Sequence, residues 1–202
     1  MPRIRADSIA EHKELTRRDI LDAAGALFRS QGFSGTSLGE VAAYVGIGRT
    51  TLYEYFEDKE DIVVQLVEDS LPALIDEMIA GIPDGLGCRA RLTELIGRGL
   101  EFVSSRDNVG SMLMRELPAL SPETQHRVRA VHQRLAGEIT DVVRKGVETG
   151  EFGPYDPMEV GRIVFSVMMS ASQSVMRGAA AGRPVEETAG TLLRFVFGGL
   201  AG

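Results

Sequence analysis

Residues 46–56, GIGRTTLYEYF, place two glycines in front of a short segment that is rich in hydroxyl groups and aromatic rings. If the residues after Gly48 form a helix ending near Phe56, each side chain is turned by about 100° from the last. Leu52 and Phe56 then share one apolar side, and the polar side chains face away from it. This pattern behind a tight glycine turn predicts the second half of a helix-turn-helix.

The residues before this turn predict the other helices of the unit. Apolar residues at helical spacing indicate a helix over 17–31, with Thr16 as its cap and Gly32 at its end. Ser37 and Glu40 have the spacing of a capping box, so a second helix of about two turns is expected to follow Ser37.

The outer side of the third helix is suited to DNA, because the final helix of such a unit lies in the major groove. Hydroxyl groups can bind base edges and phosphates, and a guanidinium group can bind guanine or phosphate. Glu54 lies on the same side and would be repelled by phosphate, so an ordinary solvated face is the alternative. The candidate contacts are Arg49, Thr50, Thr51, Tyr53 and Tyr55.

Charge is unevenly distributed along the 202 residues, which suit one large domain or two small ones. Residues 1–56 hold seven basic and seven acidic groups, so residues 57–202 carry the whole net charge of −7. A neutral first part can bind DNA if its cations cluster. The 44% of hydrophobic residues excludes wholesale disorder.

Three features predict a cytoplasmic protein. The single cysteine, Cys88, cannot form an internal disulfide and suits a reducing compartment. Residues 1–19 are too charged for a signal peptide. The longest uncharged helical stretch, 163–176, is shorter than the roughly 20 residues that span a bilayer.

Helical patterns continue to the end of the chain, which predicts an all-α protein of about nine helices. A fourth helix opens at residue 58 and is expected to kink or break at Pro72. We expect an N-terminal helix-turn-helix domain over 1–60, including a possible basic arm over 1–15, and a larger helical domain over 61–202. The later helices are predicted at 89–105, 109–117, 121–149, 156–180 and 184–200.

Residues 17–62 resemble the N-terminal domain of the tetracycline-repressor (TetR) family of bacterial transcription regulators. The resemblance lies in Gly32-Phe33, Thr36-Ser37-Leu38, Val45-Gly46-Ile47, Thr51-Leu52-Tyr53, Phe56 and Lys59-Glu60. Gly48 departs from the family's more usual serine or alanine. The resemblance implies that the DNA contacts are Thr36, Ser37, Arg49, Thr50, Thr51, Tyr53, Tyr55 and Lys59.

The acidic C-terminal part holds seven of the eight methionines, which suits an adaptable apolar pocket or ordinary core filling. Polar partners for a ligand could come from Glu101, Glu116, His126 and His132, or these could be solvated. No spacing of His, Cys, Asp or Glu predicts a metal site, and no cofactor is expected. The expected ligand-binding residues are Met78, Phe102, Met112, Leu113, Phe165 and Met168.

A stripe of small residues spaced by four, Ser166, Ser170 and Ser174, would let two helices approach closely. The resemblance implies that the last two helices form a four-helix dimer interface, to which Leu193 and Val196 would also belong. A packing face within one subunit would show the same stripe. The two helix-turn-helix domains of a dimer would contact a palindromic site with half-sites about 34–36 Å apart, or a multiple of that distance.

The resemblance implies a ligand-responsive transcriptional regulator, most often a repressor, that a small apolar effector releases from its DNA operator. An activator that needs its ligand and a helical adaptor that binds only proteins are the alternatives. We do not expect an enzyme, because no nucleophile–base pair, paired carboxylates or phosphate loop stands out.

Overall fold

The computed structural model describes residues 9–104, 117–180 and 184–201, apart from the side chains at 118 and 177–180. These residues form nine α-helices and one short 3-10 helix, Leu117–Ala119, which confirms the all-α prediction. The predicted helix over 109–117 lies almost wholly outside the described residues. The α-helices are α1 Ile9–Gly35, α2 Leu38–Val45, α3 Arg49–Leu52, α4 Lys59–Ala80, α5 Cys88–Ser104, α6 Pro122–Ala130, α7 Gln133–Glu148, α8 Pro157–Ala180 and α9 Val185–Leu200.

Helix α1 begins earlier than predicted, and Thr16 does not cap it. The Thr16 hydroxyl donates to the His12 carbonyl at 2.9 Å, well inside the helix. Glu14 accepts from Arg17 and Arg18 at 3.0 and 2.9 Å, and pairs at this spacing stabilise a helix. Residues 9–15 are therefore helix rather than a free arm, and 1–8 lie outside the described residues. Gly32 interrupts the helix with a φ of 79° and a ψ of 163°, where the end was predicted.

The turn between α2 and α3 forms as the sequence predicts. The Ser37 hydroxyl accepts from the Glu40 N–H at 3.2 Å, and Glu40 accepts from the Ser37 N–H at 2.8 Å, so the capping box is present. Gly46 closes α2 with a φ of 81°, a left-handed conformation that glycine adopts without penalty. Regular helix α3 is only 4 residues long, yet Leu52 and Phe56 are both fully buried as predicted.

The predicted helix over 121–149 is two helices, α6 and α7, and the break lies at His132. In a continuous helix the Val128 carbonyl would accept from the backbone N–H of His132. Here that N–H reaches the Arg129 carbonyl at 3.1 Å, and Nδ1 of the His132 ring lies 3.1 Å from the Val128 carbonyl oxygen instead. A side-chain nitrogen thus takes the place of the main-chain N–H at the Val128 carbonyl. Sequence periodicity could not reveal this replacement. By contrast, α4 runs through Pro72 without the predicted break.

Helix α4 connects the two ends of the molecule. Helices α1, α2 and α3 pack together, α5, α7, α8 and α9 form the C-terminal core, and α4 contacts α1 on one side and α5, α6 and α7 on the other. The predicted division at residue 60 falls in the first turn of α4 and stays a prediction. The N-terminus of α5 is capped from a distant loop, because Glu151 accepts from the N–H groups of Cys88 and Arg89 at 2.8 Å each.

The crossing of α7 and α8 depends on a glycine. A Cβ atom built on Gly161 would lie 2.8 Å from the Thr140 Cα and closer still to its side chain. To relieve such a contact the main chain of α7 would have to shift, which costs more free energy than the rotation of a flexible side chain. Gly137, also on α7, has no atom within 4 Å of the corresponding position.

We predict that Gly161→Ala destabilises the protein by about 1–3 kcal/mol, since it overpacks this crossing. Gly137→Ala should instead stabilise it by about 0.5–1 kcal/mol, because alanine is the better helix former at an open site. Urea unfolding of both variants measures the difference. Equal effects of the two substitutions would contradict the close approach of α7 and α8.

Candidate DNA-binding and effector sites

The outer face of α3 is open to solvent. Arg49, Thr50 and Glu54 are exposed, and Tyr53 is 47% exposed. Nη2 of Arg49 donates to the Tyr53 hydroxyl at 3.3 Å, and the guanidinium carbon lies 5.8 Å from the centre of that ring. Because the Tyr53 oxygen accepts from Arg49, its own proton stays available for a phosphate oxygen.

Three of the predicted DNA contacts are engaged within the protein. The Lys59 ammonium donates to the carbonyls of Phe33 and Thr36 at 2.6 and 2.9 Å, and it lies 4.2 Å from the centre of the Phe33 ring. Thr36 is only 2% exposed, and its hydroxyl donates to the Gly32 carbonyl at 2.9 Å. The Ser37 hydroxyl donates to Glu40 at 2.7 Å. These groups fix the turn between α1 and α2 against α4, so their roles at DNA remain predictions.

Three further side chains in or near α3 differ in their exposure. Thr51 and Tyr55 are half-buried, and Tyr55 packs against the core. Tyr44 on α2 is 65% exposed, and it did not enter the sequence-based set. Its position off the apolar stripe of α2 could have identified it. An exposed aromatic ring on the helix that precedes α3 adds a candidate contact for DNA.

A cavity of about 50 Å³ lies among α4, α5, α8 and the joint between α6 and α7. Four of the residues named from the sequence as pocket candidates line it, namely Met78, Phe102, Met168 and His132. Helix α4 adds four aliphatic residues to the described wall, namely Val67, Leu71, Leu74 and Ile75.

Other residues predicted for the pocket lie elsewhere. The Phe165 ring is not part of the lining, although its centre is 6.5 Å from that of His132. Glu101 and His126 are exposed rather than turned into the cavity. Met112, Leu113 and Glu116 lie outside the described residues.

The described wall of the cavity has two polar side chains, His132 and Ser172. The Ser172 hydroxyl donates to the Met168 carbonyl at 3.0 Å. Burial lowers the pKa of His132 below its usual value, which outweighs the opposing effect of its bond to Val128. The imidazole is therefore neutral near pH 7.

A hydrogen-bonded cluster joins the start of α4 to the start of α6. The Glu60 carboxylate accepts from the Ser121 N–H at 3.1 Å, and from the Ser121 and Thr124 hydroxyls at 2.6 Å each. Burial alone would raise the pKa of Glu60, but these bonds hold it below its usual value. Farther along α4, Glu68 and Asp76 pair with Arg127 and Arg134 at 3.2 and 3.1 Å.

Helices α8 and α9 present an apolar face with an open groove between them. Ile163 is 46% exposed and Phe195 is 68% exposed. The serines of the predicted dimer stripe, Ser166, Ser170 and Ser174, are all exposed on α8. Leu193 is half-buried, whereas Val196 is only 5% exposed because it packs in the core of this chain.

Two family models match this chain, one in its N-terminal part and the other in its C-terminal part. Residues 20–66 match the bacterial regulatory proteins of the tetR family, and residues 85–173 match the tetracyclin repressor-like C-terminal domain. The protein belongs to the TetR family. Members are DNA-binding transcription factors and not enzymes, so this protein is a transcriptional regulator with a helix-turn-helix domain and a ligand-binding domain.

The relatives of this TetR-family protein bind ligands of unlike chemistry. The fatty acid metabolism regulator protein of Bacillus subtilis is 21% identical over 132 residues, which is 65% of this chain and 68% of that protein. FadR from Bacillus subtilis, crystallised with stearoyl-CoA, has a TM-score of 0.73 at 17% identity and covers 90% of this chain and 98% of its own. A regulator from Saccharomonospora viridis in complex with choline has a TM-score of 0.70 at 22% identity, with 91% and 96% covered. At these identities the likeness shows a shared fold, and the ligand must be inferred from this chain's own cavity.

Within the part of the chain that the structure describes, no helix is long and apolar enough to cross a membrane. The same residues include no group of three or more His, Cys, Asp or Glu side chains placed to hold a metal ion.

We predict that Tyr53→Phe weakens binding to every duplex by about 10-fold, because it removes a donor to a charged phosphate oxygen. Arg49→Ala or Thr50→Ala should instead reduce the preference for a selected site over a random duplex by about 10-fold. Fluorescence anisotropy with both duplexes measures each effect, and Glu148→Gln on α7 is the control. The division of roles fails if all three α3 variants lower both affinities alike.

Proposed function

We propose that this TetR-family regulator is a cytoplasmic repressor that binds a palindromic operator as a homodimer and is released by a small apolar effector. One observation carries the proposal: a single helix, α4, contacts both the helix-turn-helix and the wall of an apolar cavity. A ligand that changes the position of α4 would change the position of the DNA-binding face.

The homodimer is supported by the apolar face of α8 and α9. An exposed phenylalanine beside an open groove is costly for a monomer in water, and a second copy of the same face would cover both. The exposed serines of α8, with Gly198 and Gly199 open to solvent on α9, would let the helices of two subunits approach closely. Two helix-turn-helix domains held in this way would contact successive major grooves on one side of the duplex.

The test begins with selection of a binding site from random duplexes by the wild-type protein. We expect a palindrome bound by two chains, with an affinity that falls about 10³- to 10⁵-fold between 50 and 200 mM salt, as for proteins that contact six to ten phosphates. Phe195→Glu should yield monomers in analytical ultracentrifugation and lose most of this affinity, because it buries charge at the proposed interface.

Ile9→Glu is the matched control, since it changes an apolar residue that is 81% exposed on α1, away from the proposed interface. It should leave the dimer intact. If no palindrome is selected and binding is insensitive to salt, the adaptor alternative is correct. A dimer that binds its palindrome only with a ligand present would make the protein an activator or a co-repressor-dependent regulator.

The coupling between cavity and DNA is supported by the first turn of α4. Lys59 holds the carbonyls at the end of α1, and the adjacent Glu60 holds the start of α6. The other end of α6 carries Val128, which lines the cavity together with His132. Helix α6 therefore lies between the effector site and the turn that supports the DNA-binding face. A ligand acts through this route only by the difference in its affinity for two positions of α6.

We predict that Glu60→Ala and Thr124→Ala are non-additive by about 1 kcal/mol, both in the free energy of unfolding and in that of operator binding, because the two side chains share a hydrogen bond. Urea unfolding and anisotropy titrations of the single and double variants give the two coupling energies. Glu57→Ala, on an exposed neighbour, should combine additively with Thr124→Ala. Coupling in stability without coupling in operator affinity would show that the contact is structural and does not reach DNA.

A further inference from the structure

The described wall of the cavity presents few hydrogen-bonding groups to a ligand. His132 and Ser172 are the polar side chains of that wall, and each has already used its proton within the protein. The remaining lining side chains are hydrocarbons or thioethers. The site thus offers acceptors to a ligand, while the described lining contains no lysine or arginine.

The protonation of His132 follows from its partner. Nδ1 lies 3.1 Å from the Val128 carbonyl oxygen, and a carbonyl oxygen only accepts, so Nδ1 must carry the proton. A neutral imidazole has a single N–H, which leaves a lone pair on Nε2. No described residue donates to Nε2. This nitrogen is the acceptor that the ring can present to a ligand.

Ser172 is likewise a group that can accept a hydrogen bond from a ligand but cannot donate one. Its hydroxyl proton points to the Met168 carbonyl one turn earlier, and its side chain is buried at 2% exposure. The oxygen keeps its lone pairs, so it can accept a bond but has no proton left to give. Two acceptors with different positions on the wall can therefore hold a donor group of the ligand, and neither can satisfy a ligand's own acceptor.

We propose that the effector of this cavity is an apolar molecule with a hydrogen-bond donor, such as a hydroxyl or an amide N–H, and that Nε2 of His132 accepts from that donor. The proposal rests on the proposed function, since it names the ligand class of the same effector site. A carboxylate would lose its hydration without gaining a donor or a cation from the described wall. An ether or ester oxygen would face a lone pair of His132 or Ser172. This repulsion disfavours such a ligand less than lost hydration disfavours a carboxylate.

The size of the cavity indicates that ligand binding is coupled to a structural change. About 50 Å³ is well below the roughly 150 Å³ of an engineered apolar cavity that admits benzene. A ligand must therefore widen the site, and the flexible side chains of Met78, Met168 and Met169 are the parts that can yield. His132 sits where α6 ends, so a bond to Nε2 acts at the joint between α6 and α7.

The experiment compares three molecules with similar chains: 1-octanol, its isomer 1-methoxyheptane, which has no donor, and octanoate. Isothermal titration of the full chain at pH 7.5 gives each affinity. We expect 1-octanol to bind about 3- to 10-fold more tightly than the ether, which is the range of one net hydrogen bond, and octanoate to bind more weakly than both. His132→Phe should bring the alcohol and the ether within about 2-fold of each other, whereas the control Glu148→Gln, at an exposed residue of α7 outside the lining, should keep their difference.

A second variant keeps the test decisive if His132→Phe does not fold. His132→Gln supplies an N–H donor as well as an acceptor, so it should raise the affinity for octanoate while retaining that for the alcohol. The proposal is overturned if the wild type binds the ether or octanoate as tightly as the alcohol, or if none of the three binds. It is also overturned if folded His132→Phe keeps the full preference for the alcohol over the ether, or if folded His132→Gln binds octanoate no more tightly than the wild type does. Operator binding by the unliganded protein separates the two failures. If it is intact, only this inference fails, and if it is absent, the proposed function fails as well.

Discussion

Two adjacent side chains at the start of α4, Lys59 and Glu60, hold the two halves of this protein to one helix. Successive helical residues are turned by about 100°, so the two groups reach different neighbours from the same turn. The ammonium group binds the carbonyls of Phe33 and Thr36, and the carboxylate binds the N-terminus of α6 through Ser121 and Thr124. This turn is therefore bonded both to the end of α1 in the helix-turn-helix domain and to the start of α6 in the C-terminal domain.

The second constraint is the joint between α6 and α7. The His132 ring takes the place of a main-chain N–H at the Val128 carbonyl, so the helix ends there and the ring stays at the cavity wall. The same bond that breaks the helix fixes which ring nitrogen carries the proton. Local structure and the hydrogen-bonding character of the site thus have one cause.

The comparison with relatives shows how much a shared fold leaves open. FadR bound to stearoyl-CoA and a regulator bound to choline both align with more than nine-tenths of their own chains, yet their ligands have little in common. The fold supplies a position between helices, and the side chains of the wall supply the selectivity. In this protein the described wall offers acceptors and an apolar surface, which favours a neutral ligand over an anion.

The sequence by itself determined the features that depend on neighbouring residues. The capping box of α2, the left-handed Gly46, the cap and proline that start α6 and the buried side of α3 follow from interactions within a few positions, which periodicity and cap patterns report. The tertiary structure decided where polar groups find partners across the chain. Lys59, predicted at DNA, reaches back 26 residues to Phe33, and Glu60 reaches 64 residues forward to Thr124. Such pairings depend on how helices pack in space, and no local pattern in one sequence encodes that packing.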